Sequence, residues 1–393
     1  MQLSLVLLLD QKKSTLMSKI KKIKILHILH SVGGVNIYAR QITDNINPEN
    51  IENVIVSQPL KSDQSFYDAK GNLLKCYSTT IGREINPLYD LLALIKCIYV
   101  IFFEKPDLIH AHSSKGGVLA RVAALFFNTK VLYTPHAFSF LSTKNYFKKK
   151  MYILIEKALK TKNTFLLATS NSEKARAIKT VGFSPSKVLV LNNAINPINF
   201  KELNPNQIHP NYICTIARPS YQKNLEMLLE VFLLVSNTHK EIHLYIIGAG
   251  EHSPSLNKIS QIISDYSLED RITILPWVPR KRALSILKNS KIYISTSRYE
   301  GMPFSVIESM SLKVPCVLTD TDGNRDLVVD GFNGYIIKNM NIDQMSTKIS
   351  TLLGNNLKRK KLAENAYAYY KKNHLLSNFI NKLTGHYIKF SKS

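Results

Sequence analysis

The stretch IKILHILHSVGG, residues 23–34, joins a short apolar run rich in β-branched residues to a pair of glycines. A second stretch, HLYIIGAG at residues 243–250, repeats this design. Amphipathic segments of helical length alternate with such apolar runs along the chain, and this alternation is typical of parallel βαβ units with helices on both faces of a sheet. The sequence therefore predicts an α/β fold.

Further apolar runs extend this pattern outward from the two stretches. The first half predicts strands at residues 23–29, 54–57, 108–112, 131–134, 165–169 and 188–191. The second half predicts strands at 212–217, 243–247, 272–275, 292–295, 315–318 and 335–337, and the sequence after about 341 is helical in pattern. Periodicity stops around Pro197 to Pro210, where prolines and asparagines exclude a helix or a central strand. We expect doubly wound domains at 17–200 and 211–375 and a terminal helix at 376–393.

Residues 87–103 have the periodicity of one long helix. An apolar stripe at helical spacing is formed by Leu88, Leu91, Leu92, Ile95, Ile98, Tyr99 and Phe102. We expect this stripe to cover a sheet, and a membrane helix is the alternative. No apolar run reaches the ~18 to 20 residues of a membrane span.

Composition narrows the class of protein. The 393 residues include 52 Lys plus Arg and 28 Asp plus Glu, a formal net charge of +24, and residues 1–205 are the more basic part. Such an excess of positive charge favours an anionic partner: nucleic acid, an acidic membrane or a phosphorylated ligand.

The four cysteines form no Cys-x-x-Cys pair, so neither a zinc cluster nor a disulfide framework is indicated. A cytosolic location fits this use of cysteine. We interpret residues 1–9 as an extension and not a signal peptide, with Met17 as an alternative start.

The two glycine turns are candidate anion sites. Gly33 and Gly34 precede a predicted helix, and Gly248 and Gly250 follow a predicted strand. Backbone N–H groups at such a turn can bind a phosphate, although a tight strand-to-helix turn also uses glycines. Neither turn is a complete G-x-G-x-x-G, which argues against a dehydrogenase.

Two cations follow the predicted strand at 212–217. Arg218 stands at its end and Lys223 stands just before a helix. At one carboxyl edge they could converge on a diphosphate, with bidentate contacts from the guanidinium, whereas the plainer interpretation is two solvated charges.

The segment SRYEGMPFSVIE, residues 297–308, carries the most information about function. It places Glu300 in a strand-to-helix loop and Glu308 about two helical turns later, near the same face. Gly301 permits close approach of a ligand, and Pro303 suits the first turn of a helix. Two carboxylates of this kind can bind the hydroxyls of a sugar and a ribose.

Two other clusters resemble metal sites. Asp320-Thr321-Asp322 has the form Asp-x-Asp, but we expect it to serve a loop and a helix cap. The histidines at 27, 30, 110 and 112 are expected to pack and hydrogen-bond inside the fold, with His112 an alternative acceptor contact.

The segments ARPSYQKN, GAGEH, SRYEGMPFSVIESMSLKVPCV and DGFNGYII resemble the ordered motifs of glycosyltransferase family 4. In the first half, DLIHAHSSKGGVLAR and YTPHAFSF resemble members that build bacterial surface polysaccharides on a lipid carrier. The resemblance implies a GT-B fold, in which two Rossmann-like domains face a central cleft, with C-terminal helices. It also implies an acceptor-binding first domain and a second domain that binds the nucleotide sugar.

The resemblance further implies site residues. Arg218 and Lys223 would hold the donor diphosphate, Glu308 the ribose and Glu300 the transferred sugar, with His136 beside that sugar. Other residues would line the donor site: Gly33, Gly34, Gly248, Gly250, Trp277, Val278, Gly301, Met302, Pro303 and Phe304. Ala217, Pro276 and Ala194 depart from the family's usual glycines, which affects the backbone path and the choice of base.

We therefore expect a retaining hexosyl- or N-acetylhexosaminyltransferase that uses a nucleotide diphosphate sugar, UDP-linked, and a lipid-linked saccharide acceptor in O-antigen or capsule biosynthesis. Neither a metal nor another cofactor is expected, and nucleic acid is not an expected partner. The alternatives are a UDP-N-acetylhexosamine 2-epimerase of the same fold and a non-enzymatic basic protein that binds membrane or nucleic acid. A lysine cluster with apolar and aromatic neighbours predicts a peripheral site on an anionic membrane, at the inner face of the plasma membrane. Its residues are Phe138, Phe140, Leu141, Lys144, Tyr146, Phe147, Lys148, Lys149 and Lys150. The alternative is a solvated loop followed by an ordinary core helix.

Overall fold

The computed structural model describes residues 22–60, 64–82, 85–203, 208–250, 253 and 255–392. The expectations about residues 1–9 and Met17, and the last two residues of GAGEH, lie outside these ranges. Contacts divide the described chain into two compact units. Unit 1 extends to Tyr133 and adds Thr161–Phe165 and the residues from Lys382 onward, whereas unit 2 holds Thr134–Lys160 and Leu166–Asn381. The domain boundary expected from the sequence at 200–211 stays a prediction.

Two sheets organise the chain, which confirms the predicted α/β class. The strands are β1 (Ile23–Ile28), β2 (Ile51–Ser57), β3 (Lys75–Ser78), β4 (Leu108–His112), β5 (Val131–Thr134), β6 (Thr164–Ala168), β7 (Val188–Val190), β8 (Tyr212–Ile216), β9 (His243–Ile247), β10 (Ile272–Leu275), β11 (Tyr293–Ser295), β12 (Cys316–Thr319) and β13 (Gly334–Ile337). Their order is β3-β2-β1-β4-β5-β6-β7 in the first sheet and β10-β9-β8-β11-β12-β13 in the second. Each order reverses direction once, between β1 and β4 and between β8 and β11. In open α/β sheets, ligands bind at the carboxyl ends of the strands beside such a switch point.

Helices connect successive strands. They are α1 (Gly34–Thr43), α2 (Pro87–Glu104), α3 (Ser113–Ala123), α4 (Tyr146–Ala158), α5 (Asn171–Arg176), α6 (Leu225–Thr238), α7 (Leu256–Asp265), α8 (Arg280–Asn289), α9 (Phe304–Ser311), α10 (Asn324–Leu327), α11 (Ile342–Gly354), α12 (Asn356–Asn373) and α13 (Leu376–Lys392). The last three confirm the predicted helical end of the chain. In the ranges that the structure describes, no helix is both long enough and apolar enough to cross a membrane.

The central strands are apolar because both of their faces are covered. All five residues of β9 are buried, as are all five of β4, so neither strand alternates between apolar and polar positions. The buried residues include His243 in β9 and His110 and His112 in β4. Strand β3 was missed in the sequence because its residues are mostly exposed and carry no apolar run. Among the strands of the described residues it pairs only with β2, at the edge of the first sheet.

Helix α2 exists as predicted, but the prediction that its apolar stripe covers the sheet is wrong. The buried side is made by Ala93, Cys97, Val100 and Ile101. Six of the seven residues in the predicted stripe, all except Ile98, are exposed instead. Helical periodicity locates a stripe, but α2 is apolar on both sides, so the pattern did not identify the inner one.

Candidate active site

The centre of the candidate site is an ion pair between neighbouring strand ends in unit 2. Lys223 Nζ lies 2.6 Å from Glu300 Oε1, and the amide of Gln222 donates to Glu300 Oε2 at 3.4 Å and to the Tyr299 carbonyl at 3.2 Å. Lys223 follows β8 and Glu300 follows β11, and these strands are adjacent at the switch point. Glu300 is 6% exposed and the Lys223 side chain 22%, so the pair is shielded from water. The topology therefore brings together two residues that the sequence singled out.

The backbone after Glu300 is packed between two other backbone segments. A Cβ on Gly301 would lie 3.0 Å from both the amide nitrogen of Ala137 and the carbonyl carbon of His136, and a Cβ on Gly323 would lie 2.2 Å from the Gly301 oxygen. Gly323 also has φ +77°, a backbone conformation that side chains rarely adopt. Glycine is thus required at 323, and any side chain at 301 must displace the 136–137 turn.

The turn at residues 136–137 is unusual and brings His136 next to Gly301. His136 and Ala137 have φ of 54° and 78°, a left-handed conformation that costs non-glycine residues about 1–3 kcal/mol. Burial lowers the pKa of the His136 imidazole to about 3, so the ring is neutral at pH 7. A neutral ring can donate or accept a hydrogen bond, but it does not supply an imidazolium proton.

Glu173 stabilises this turn, and it was not among the site residues predicted from the sequence. Its Oε1 accepts the Ala137 N–H at 2.8 Å, and its Oε2 accepts the N–H and the hydroxyl of Thr169 at 2.7 and 3.0 Å. The residue is 1% exposed, and burial raises the pKa of its carboxyl group. A signal was present: Ser170-x-x-Glu173 is a capping box, and the Ser170 hydroxyl accepts the Glu173 N–H at 3.1 Å.

Glu308 lies on α9 and has a partner that was not predicted from the sequence. Arg280, at the start of α8, donates to Glu308 Oε1 through Nη2 at 2.6 Å and through Nε at 3.1 Å. Burial raises the pKa of the Glu308 carboxyl group, and the guanidinium opposes that rise. No motif in the sequence links residues 280 and 308, since contact depends on how α8 packs on α9.

Other contacts fix the start of α9. The Asn193 side-chain amide donates to the Met302 carbonyl at 2.6 Å, and His374 Nδ1 lies 2.8 Å from the Asn193 carbonyl oxygen. Met302 and Phe304 are buried, and Pro303 precedes the first helical residue. The loop 301–303 is therefore held by core contacts on one side and by the 136–137 turn on another.

The remaining predicted donor residues of unit 2 differ in exposure. Arg218 is exposed beyond the end of β8, Trp277 is 79% exposed and Val278 is buried. Gly248 has φ +99°, and its N–H donates to the Leu275 carbonyl at 3.0 Å, so this amide serves the fold. Gly250 is partly exposed.

Unit 1 contains the other glycine turn and the histidines. Gly33 and Gly34 are exposed, and Gly33, with φ 57°, caps α1.

The predicted histidine cluster also lies in unit 1. A ring nitrogen of His27 lies 3.0 Å from a ring nitrogen of His112, and His110 Nδ1 lies 2.6 Å from the Tyr387 hydroxyl. All three rings are buried, so the alternative acceptor contact for His112 is wrong. One nitrogen of each lies within 4.8 Å of the others, as metal ligands would, but these hydrogen bonds match the expected packing role.

The Asp-x-Asp segment lies after β12. Asp322 pairs with Arg176 through two nitrogens and with Arg325 at 2.7 Å, and Arg325 also reaches Asp320 at 2.7 Å. These contacts fit the expected loop role.

The lysine cluster on α4 is exposed, as a membrane patch requires. Lys148 to Lys150 are exposed together with Tyr146, Phe147 and Leu154. The prediction that Phe138 and Phe140 belong to this surface is wrong: both are 1% exposed and stack at 5.0 Å.

Comparisons with known proteins identify the family. Residues 32–198 match the family described as Glycosyltransferase Family 4, and residues 198–369 match the one described as Glycosyl transferases group 1. A relative from Escherichia coli, named UDP-Gal:alpha-D-GlcNAc-diphosphoundecaprenol alpha-1,3-galactosyltransferase, is 31% identical over 67% of this chain and 70% of its own. A Staphylococcus aureus relative named capsular polysaccharide biosynthesis glycosyltransferase CapM is 25% identical over 77% of this chain and 83% of its own.

Solved structures agree on the fold. Sucrose-phosphate synthase from Thermosynechococcus elongatus superposes with a TM-score of 0.82 at 16% identity, covering 95% of this chain and all of the other. Anabaena HepE in complex with UDP-glucose gives 0.75 at 16% identity, covering 93% and 99%. The GT-B fold expected from the sequence is confirmed, and the chain belongs to glycosyltransferase family 4.

Proposed function

We propose that this glycosyltransferase moves a hexosyl or N-acetylhexosaminyl unit from a UDP-linked sugar to a lipid-linked saccharide, with retention of the anomeric configuration, during synthesis of a bacterial surface polysaccharide. The observation that carries the proposal is the shielded Lys223–Glu300 pair beside the 136–137 turn. Lys223 is a cation that can bind a diphosphate, and Glu300 is a carboxylate that can bind sugar hydroxyls. Both lie at the switch point between β8 and β11, where open α/β sheets bind ligands.

The leaving group is where the protein must stabilise charge. As the bond from sugar to phosphate breaks, negative charge grows on the diphosphate, and Lys223 and Arg218 are the cations proposed to meet it. Lys223 is oriented beforehand by Glu300, so little reorganisation is needed during the reaction. Glu300 would remain beside the departing sugar. Glu308 would lose its hydrogen bonds to Arg280 and accept hydrogen bonds from the ribose hydroxyls instead.

Two further parts of the proposal concern the acceptor and metal ions. A UDP-galactose donor and a diphosphoundecaprenol-linked acceptor are named for the Escherichia coli relative, and this name supports the same classes here. We propose that no metal cofactor takes part, because the two cations can neutralise the diphosphate. The exposed lysines of α4 support an anionic membrane surface as a partner.

A thermal-shift screen of UDP, GDP and their sugars tests the donor, since a ligand at 100 times its Kd stabilises by about 2.7 kcal/mol. The selected donor is then incubated with synthetic polyprenyl-diphosphate saccharide, with and without EDTA, and the linkage is read by NMR. We expect transfer with retained configuration in both conditions. Epimerised sugar from donor alone would favour the epimerase, and loss of activity in EDTA would refute metal independence.

A further inference from the structure

Two cations lie over one exposed aromatic ring in unit 2. Tyr221 is 37% exposed in the loop that follows β8. The guanidinium carbon of Arg298 lies 4.5 Å from the centre of its ring, and Lys144 Nζ lies 5.6 Å from the same point. Both distances are within the range in which a cation is attracted to an aromatic ring. The two charges are therefore at most about 10 Å apart, a distance at which like charges repel.

No acidic side chain of the described residues neutralises this pair. Neither Lys144 nor Arg298 forms an ion pair within those residues, whereas Lys223 and Arg280 each bind a buried glutamate. Lys144 is exposed, so a ligand in solution can reach it. A site with two uncompensated positive charges attracts an anion.

Arg298 is oriented by contacts that use few of its donors. Its Nη1 donates to the Tyr221 carbonyl at 2.6 Å, and its backbone N–H donates to the Gln222 carbonyl at 2.8 Å. A guanidinium has five N–H donors and can bind two phosphate oxygens at once. Lys144 would add a point charge on a flexible side chain, as lysines do at phosphate sites. Together the two side chains match the chemistry of a diphosphate.

The cluster of Lys144, Tyr221 and Arg298 lies beside the proposed donor site. Tyr221 is two residues before Lys223, and Arg298 is two residues before Glu300. Two residues of backbone span at most about 7 Å, so the cluster and the Lys223–Glu300 pair are close neighbours. A diphosphate bound by the cluster would therefore lie next to the diphosphate of the donor.

We propose that this cluster binds a second diphosphate, the one that carries the saccharide of the acceptor. The inference rests on the proposed function, since a diphosphate-linked acceptor brings its own diphosphate toward the donor during transfer. The attacking hydroxyl must reach the transferred sugar. A subsite this close to Glu300 therefore implies that few sugars separate that hydroxyl from the acceptor diphosphate. The other source of the same group is the donor itself, and titration with UDP already bound distinguishes the two.

The first test is calorimetric titration of pyrophosphate into the full chain saturated with UDP, without added metal and at ~0.15 M salt. UDP fills the donor site, so pyrophosphate should still bind to the wild type at the second site. Lys144→Ala/Arg298→Ala should weaken this binding about tenfold or more, because two charged contacts are lost. The Kd for UDP should not change in this variant.

The matched control is Lys313→Ala/Lys371→Ala. Each of these lysines lies 4.9 Å from the centre of the Tyr367 ring, but Lys313 is paired with Glu364 at 2.9 Å. The control also removes two cations from one aromatic ring, so it shows how far loss of net charge alone affects the titration. It should bind pyrophosphate as the wild type does.

A second variant protects the test against misfolding. Arg298→Ala removes a hydrogen bond to the Tyr221 carbonyl, whereas Lys144 is an exposed residue of the loop before α4. Lys144→Glu places a carboxylate at the cluster and should weaken pyrophosphate binding at least as strongly as the double variant. Its Kd for UDP should equal that of the wild type.

The second test measures transfer to the synthetic polyprenyl-diphosphate saccharide. Lys144→Ala/Arg298→Ala should raise the KM for this acceptor about tenfold, and the control variant should leave it unchanged. A variant that loses pyrophosphate affinity but keeps the acceptor KM would overturn the assignment to the acceptor.

Three results of the titration would overturn the second site. They are absence of pyrophosphate binding to the UDP-saturated wild type, equal binding by the double variant and the control, and a parallel loss of UDP affinity, which would assign the cations to the donor. Failure of the proposed function looks different: UDP would not bind, or no sugar would be transferred. The difference in pyrophosphate affinity between the double variant and the control would still decide whether the cluster binds a diphosphate.

Discussion

Glu300 and Glu308 belong to one segment and are equally buried, at 6% and 7% exposure, yet their surroundings differ. Glu300 is held by Lys223, whose side chain is 22% exposed, and by Gln222, which also fixes the adjacent backbone. Glu308 is held by Arg280, whose side chain is 57% exposed. One carboxylate therefore has a fixed partner, and the other has a partner that can move into water.

This difference suggests that the Glu300 and Glu308 carboxylates have different functions. An orienting ion pair that is shielded from water retains its geometry when charge develops beside it, which suits stabilisation of a transition state. The Arg280 side chain is more than half exposed, so water can solvate its guanidinium when another hydrogen-bond donor replaces it at Glu308. We infer that Glu300 acts in transfer and Glu308 in nucleotide binding.

The largest effect is expected from Lys223→Ala. Loss of this cation should lower kcat at least ~100-fold, as loss of a transition-state donor does. It should also lower the free energy of unfolding by about 1–3 kcal/mol, because Glu300 stays buried without its strongest partner. Steady-state kinetics and urea denaturation measure the two effects.

Arg218→Ala provides the comparison for that variant. It should lower kcat by a similar factor, but it should change stability by less than about 0.5 kcal/mol, because Arg218 is exposed. Turnover near that of the wild type in both variants would contradict the diphosphate assignment.

Glu300→Gln is expected to have the next largest effect. The amide keeps the shape but loses the charged contact to Lys223, so kcat should fall about 10- to 100-fold. The Kd for free UDP, measured by calorimetry, should change by less than about threefold. If UDP affinity falls as much as turnover does, Glu300 binds the nucleotide and the contrast with Glu308 fails.

Glu308→Gln should show the opposite split. UDP affinity should fall about tenfold or more, the cost of losing a hydrogen bond to a charged group, with a smaller change in kcat at saturating donor. Arg280→Ala is the matched control: it frees Glu308 for the ribose, so UDP affinity should be unchanged or higher. Weaker UDP binding in Arg280→Ala would mean that the arginine itself contacts the nucleotide.

Much of this site could be predicted from the sequence because several of its residues directly follow the ends of buried strands. Buried parallel strands produce long apolar runs, so the places where β8 and β11 end could be located, and with them Arg218, Lys223 and Glu300. Glu173 was within reach through its capping box. Arg280, Asn193 and Gly323 were not, because their contacts depend on tertiary packing that leaves no local pattern.

The 136–137 turn shows the same limit for backbone conformation. The residue types at His136 and Ala137 do not predict two successive positive φ angles, because histidine adopts one only occasionally and alanine rarely. The conformation persists because Glu173 and Gly301 support it from two sides. Likewise, periodicity identified α2 but not its inner side, because the remainder of the first sheet and not the helix determines which side is covered.

Glu173 extends the comparison to a carboxylate whose described contacts are N–H and O–H donors from Ala137 and Thr169. Both of its oxygens accept hydrogen bonds, so Glu173→Gln places an amide NH₂ against an N–H donor and should loosen the 136–137 turn. Because Gly301 packs on that turn, kcat should fall about fivefold while UDP affinity stays constant, a smaller effect than those above because Glu173 acts through the backbone.

The pH dependence gives a second measurement on the same variant. Burial raises the pKa of Glu173 above the value of an unfolded chain, so the folded state binds more protons and the wild type loses stability as pH rises through that interval. Glu173→Gln removes this titration, so its stability should vary less with pH just above the usual pKa of glutamate. An unchanged pH profile together with unchanged kcat would show that the turn keeps its shape without the carboxylate.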